Sequence, residues 1–131
     1  MKHNALVSLA TVWLAACSQS QRIAPIATTD PGTLHAMYQE IYAQVQDRTC
    51  SDPSACTSLP LGSKPCGGPW TFLVYSNEGV DEAELHARAT QLAAYELQYD
   101  LEHHVISTCD MAPPANPACV DGVCIDLNRS E

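Results

Sequence analysis

The chain has 131 residues, 46% of them hydrophobic, and fifteen acidic residues against six Lys and Arg, for a formal net charge of −9. That length carries one domain with a modest core. So acidic a chain is a poor electrostatic partner for nucleic acid or an anionic lipid surface.

The N-terminus reads as a targeting segment. Lys2 supplies a positive charge, and residues 5–16 follow with no charged side chain. A helix of that length rises about 18 Å, short of the roughly 30 Å hydrocarbon core, so it is a signal peptide rather than a membrane span. The run ends in Leu14-Ala15-Ala16-Cys17 and polar residues follow at once. This ending resembles the lipobox of bacterial lipoprotein precursors. The resemblance implies cleavage after Ala16, diacylglycerol on the Cys17 sulfur and acylation of the new amino group. Several acyl chains anchor far more firmly than one. Ser18 rather than Asp after the cysteine implies an outer-membrane location facing the periplasm. Residues 1–16 are then the signal peptide, 17–29 the lipidated cysteine with a flexible tether, and 30–131 the folded domain.

Six cysteines remain beyond Cys17: Cys50, Cys56, Cys66, Cys109, Cys119 and Cys124. An even number behind an export signal predicts three disulfides, although spacing alone leaves the partners open. No Cys-x-x-Cys occurs, against both a thioredoxin-like dithiol and a zinc knuckle.

Asp30-Pro31 is a helix start, with Asp as N-cap and Pro at the first helical position. Leu34, Met37, Tyr38, Ile41 and Val45 then form one apolar stripe, predicting a helix of about five turns ending near Arg48. Residues 49–69 hold three cysteines among prolines and glycines with little periodicity, and are expected to be a disulfide-held loop. Gly67-Gly68 could present bare amides as an anion nest, but a turn beside a close-packed disulfide is the preferred reading. Residues 70–76, aromatic, β-branched and uncharged, predict a mostly buried central strand. Trp70 and Tyr75 in it could also serve an aromatic contact surface.

At Val80-Asp81-Glu82-Ala83-Glu84-Leu85 the sequence shows a capping box, Asp81 with Glu84, and a hydrophobic staple, Val80 with Leu85. A long helix to about Val105 is expected. It has two apolar sides, Leu85, Ala89, Leu92 and Tyr99 on one and Ala87, Ala94, Leu97, Leu101 and Val105 on the other, which predicts a helix sandwiched between sheet and first helix. Residues 107–117 are loop. Asp121-Gly122 between two apolar arms predicts a β-hairpin that places Cys119 opposite Cys124. A bridge between these two is the favoured pairing, and a link from Cys109 to one of them is the rival. The order helix, loop, strand, long helix, hairpin is a small disulfide-stapled α+β domain.

The stretch GSKPCGGPWTFLVYS, followed by a long helix, Ser107-Thr108-Cys109 and the closing Cys119-x-x-Gly122-x-Cys124, resembles a group of Cys-rich bacterial envelope proteins of uncharacterised activity. The resemblance implies this fold and disulfide framework, and no activity.

Reaction chemistry is sparse. There is no G-x-S-x-G elbow, paired cysteines leave no thiolate, and nothing singles out a carboxylate pair among the fifteen acids. Asp100 reaches His103 at i+3 and His104 at i+4 on a helix, so a surface site for a divalent ion is conceivable. The preferred reading is a helix end at which imidazolium meets the macrodipole. His86 is expected on an exposed helix surface. The expectation is a lipid-anchored, non-catalytic, protein-binding or inhibitor-like domain, with no cofactor and no nucleic-acid partner. Its unidentified partner would be another envelope protein. The alternative is a metal-dependent factor or enzyme using Asp100, His103 and His104.

Overall fold

A computed structural model of the chain describes residues 28–129. The segment read from sequence as a signal peptide, Cys17 and most of the expected tether lie outside the described residues. Among the described residues two α-helices, a short 3-10 turn at Pro53–Ala55, two antiparallel sheets and three disulfides make up an α+β domain.

Helix α1 spans Pro31–Gln44 and starts as its sequence requires. Asp30 caps it by accepting from the Thr33 amide at 2.9 Å, and Pro31 occupies the first turn. It ends earlier than its apolar stripe suggests. Asp47 accepts from the Thr49 amide, and the chain then pairs with the C-terminal hairpin through the bonds Cys124 N to Arg48 O and Cys50 N to Gly122 O. Those bonds replace a further helical turn. Thr29, assigned to the tether from sequence, is already part of the fold. It is 5% exposed, and its amide and hydroxyl both donate to Glu102.

Strand β1, Cys56–Leu61, lies inside the expected loop and pairs antiparallel with β2, Thr71–Ser76, in the register Cys56 with Ser76 through Leu61 with Thr71. Its signal is masked by Pro60, yet Leu59 and Leu61 on either side of the proline are buried at 1% and 0%. Proline is tolerated on an edge strand. Among the described residues β2 is one of only two strands in its sheet, not a central strand. It is nonetheless covered on both faces. Tyr75 joins Leu59 and Leu61 under the helices, while Val74 packs with Cys50, Ala55 and Cys124 on the other side. Burial on both faces accounts for the uncharged run.

Helix α2 spans Glu82–His103. Asp81 accepts from the Glu84 amide at 3.0 Å, as the capping box requires. The reciprocal half is replaced, because the Glu84 carboxylate takes the Arg88 guanidinium instead. His104 closes the helix in a left-handed conformation at φ 54°. One side of α2 is buried, through Leu85, Ala89, Leu92, Glu96 and Asp100, against α1 and β1. On the second side Ala87, Ala94, Leu97 and Leu101 are exposed and Val105 is half-buried. That corrects the expected sandwich: α1 and the sheet share a single side of α2. Among the described residues no helix is long and apolar enough to cross a membrane.

Strands β3, Pro117–Val120, and β4, Val123–Asp126, form the expected hairpin, with Asp121 and Gly122 both at positive φ as a type I′ turn demands. Cys119 does face Cys124 across it. The favoured bridge between them does not form, nor does its rival. The bonds are Cys50–Cys119, Cys56–Cys124 and Cys66–Cys109. Both hairpin cysteines point to the face that packs on β1 and residues 48–50, so each meets a distant partner. Closing Cys50–Cys119, between residues 69 apart, restricts the unfolded chain far more than a short hairpin closure would.

Candidate functional site

The three residues singled out at the helix end part company in the fold. Asp100 is 5% exposed, turned into the domain, and burial pushes its carboxyl above the usual range. His103 lies against Tyr99, ring centroids 4.1 Å apart, with Nε2 at 3.3 Å from the Thr29 carbonyl. His104 is the exposed left-handed cap. Among the described residues one set of three His, Cys, Asp or Glu ligand atoms comes within 4.8 Å, namely the sulfurs of Cys50, Cys56 and Cys124. All three sulfurs are bonded in disulfides. The geometry supplies no support for metal at Asp100, His103 and His104.

Glu96, one turn before Asp100, joins three elements. Its carboxylate accepts from the Tyr38 hydroxyl of α1 at 2.9 Å and from the Ser63 amide after β1 at 2.7 Å. Burial raises its pKa, opposed by these hydrogen bonds. Burial likewise drives the Tyr38 hydroxyl well above the usual tyrosine range, with Glu96 adding to the effect. A phenol held neutral against a carboxylate is a structural clasp, not a nucleophile. Tyr75 repeats the pattern on a smaller scale, donating to Glu82 at 2.8 Å with His86 Nε2 at 3.5 Å.

Gly67 and Gly68 form the turn rather than an anion nest. The Gly67 amide is spent on the Lys64 carbonyl at 2.8 Å, and the Gly68 carbonyl accepts from the Lys64 amide. Lys64 itself is 6% exposed, with its ammonium donating to the Asp110 carbonyl at 2.7 Å and lying 5.4 Å from the Trp70 ring. Of the two aromatics considered for contact, Tyr75 is core at 1% exposure, and Trp70 keeps surface at 38%.

The most suggestive surface is the open side of α2. Ala83, Ala87, Thr90, Ala94, Leu97 and Leu101 are all exposed, at intervals of alternately four and three residues, and none is ionisable. Leu101 is 71% exposed. Alternating intervals of three and four are the spacing by which one helix seats on another, and alanines let the partner backbone come close. The nearby charges are already engaged elsewhere, Arg88 with Glu84 and with Glu40 of α1. Sequence periodicity detected this side but not that it stays uncovered, since a buried and an exposed apolar stripe look alike.

No family model, curated protein or solved structure matches the chain.

Proposed function

We propose that this is a lipid-anchored cell-envelope protein, held through Cys17, whose domain binds another envelope protein without catalysis, in the manner of an inhibitor or adaptor. The observation that carries the binding part is the uncharged, helix-spaced outer face of α2. In a chain of net charge −9 it is a run of six exposed side chains that carries no charge of its own. Three disulfides accord with an oxidising envelope compartment, and the Leu14-Ala15-Ala16-Cys17 ending supports the anchor. By the same resemblance, Ser18 supports the outer membrane.

The test separates the two parts. Cys17→Ser should abolish incorporation of a fatty-acid probe and block cleavage of the precursor; continued labelling sinks the anchor. For the binding face, crosslinking in the intact envelope is compared between the parent and Leu97→Glu/Leu101→Glu. Both leucines are exposed, so the double variant should melt within a few degrees of the parent while losing the parent's crosslinked partner. Recovery of the same partner at the same yield refutes the face.

A further inference from the structure

The geometry points to Cys66–Cys109 as a thiol–disulfide exchange site, opened by a dithiol, with the other two disulfides as permanent staples. This inference depends neither on the anchor nor on the α2 face. The three bonds occupy different surroundings. Cys50 and Cys124 are 5% and 0% exposed, and each belongs to one of the two bonds packed between sheet and hairpin. Both members of Cys66–Cys109 are exposed. Exchange requires a thiolate to reach a sulfur, so its rate follows access.

Room for the attacking thiol is present. A concavity of about 430 Å³ adjoins the bond, lined by Gly67, Gly68, Pro69, Phe72 and Met111 as well as both cysteines. Apart from the residues adjacent in the chain, no heavy atom lies within 4 Å of where a Cβ on Gly67 or Gly68 would stand, so this wall is open. What the bond holds is also separable from the core. Residues 105–116 have no regular secondary structure. Their far end is fixed to the hairpin through Asn128 Nδ2 to Pro114 O and Leu127 N to Asn116 O, while their middle is held by Cys109 and the Lys64 bond to Asp110. Ile106 and Met111 there are already 93% and 91% exposed. Opening the bond would leave that middle held by the Lys64 contact to Asp110 alone, with β1, β2 and the hairpin still stapled.

The chemistry closes with a dithiol as reductant. One of its thiolates attacks Sγ of Cys66 or Cys109, forming a mixed disulfide and expelling the other cysteine as a thiolate, which takes up a proton. The second thiol, deprotonated, attacks the dithiol's own sulfur and releases the remaining cysteine. The dithiol leaves as a disulfide, oxidised by two electrons, and Cys66–Cys109 is reduced by two.

The full chain, folded and oxidised, is exposed to graded dithiothreitol, quenched in acid, alkylated and mapped by mass spectrometry. Label should appear on Cys66 and Cys109 at least about tenfold faster than on Cys50, Cys56, Cys119 or Cys124. Hydrogen exchange should rise in the 105–113 stretch while that of β1 and β2 is unchanged. Equal labelling of any of the four other cysteines overturns the inference, as does labelling of Cys66 and Cys109 only when the whole domain unfolds. Cys66→Ser/Cys109→Ser should fold and release no thiol under the same exposure. Failure of that variant to fold would make the third bond structural and also overturn the inference, independently of the labelling rates.

Discussion

Replacing Gly62 with Ala strikes the point where α1, α2 and the sheet are clasped together. Gly62 is buried at φ +77°, and an added Cβ would stand within 2.7 Å of the Tyr38 hydroxyl, Glu96 Oε2 and Trp70 Cδ1. Two costs combine. A non-glycine residue in the left-handed region loses about 1–2 kcal/mol. The Cβ also displaces the Glu96 carboxylate from the Ser63 amide or the Tyr38 hydroxyl, and a hydrogen bond to a charged group is worth about 1.5–3 kcal/mol. The sum is about 2.5–5 kcal/mol, a large part of the 5–15 kcal/mol margin usual for a domain. In a domain of this size that lowers Tm by roughly 10–40 °C. Gly79→Ala is the control, since Gly79 has nearly the same φ of +81° but nothing within 4 Å of its would-be Cβ. It should cost only the conformational part, about 1–2 kcal/mol. Thermal melts followed by circular dichroism, with oxidised protein throughout, read both. Equal losses in the two variants would refute the clasp, because the backbone conformation alone would then explain them.

Stability should rise on mild acidification and then fall. Glu96 and Asp100 have folded pKa values raised above their ordinary 4.5 and 3.8, so the stability they contribute is present below those values and lost as pH rises through the folded ones. Asp30, Asp47, Asp52, Glu102, Asp110 and Asp126 are lowered by hydrogen bonds and contribute in the opposite sense, losing their stabilisation as pH falls through their folded values below 3.8–4.5. Urea midpoints should therefore be higher near pH 5 than at pH 7 and fall again toward pH 3, and Glu96→Gln should flatten the upper limb; a steady decline from pH 7 downward would contradict this. Removing the buried staple with Cys56→Ala/Cys124→Ala leaves Cys50–Cys119 closed, so the loop that is opened runs through that bond and is about a dozen residues long, which corresponds to about 3 kcal/mol in the chain-entropy account. A loss below about 1 kcal/mol in denaturant unfolding would show that the hairpin holds its place without the bond.

The features legible in sequence are those written within a few neighbouring residues. Asp30 with Pro31, Asp81 before its helix, and Asp121-Gly122 each specify a cap or turn whose partners lie within four residues in the chain, and each stands as expected. The even count of six cysteines likewise announced three bonds, and composition with element order announced the α+β class. The remainder was decided by contacts between residues far apart. Cys119 and Cys124 face each other, as the hairpin requires, yet bond to Cys50 and Cys56, because only the packed fold brings those sulfurs to the same face. Strand β1 is hidden by Pro60 in sequence and exists through pairing with β2 and the burial of Leu59 and Leu61. Helix α1 stops at Gln44 because residues 48–50 are taken up by β4. The site shows the same division. Asp100, His103 and His104 have the spacing for convergence, but Asp100 turns inward and His104 leaves the helix, so spacing did not become a site. The two apolar sides of α2 were both visible in the periodicity. Which of them is covered depends on where α1 and the sheet pack, and a one-dimensional pattern holds no record of that.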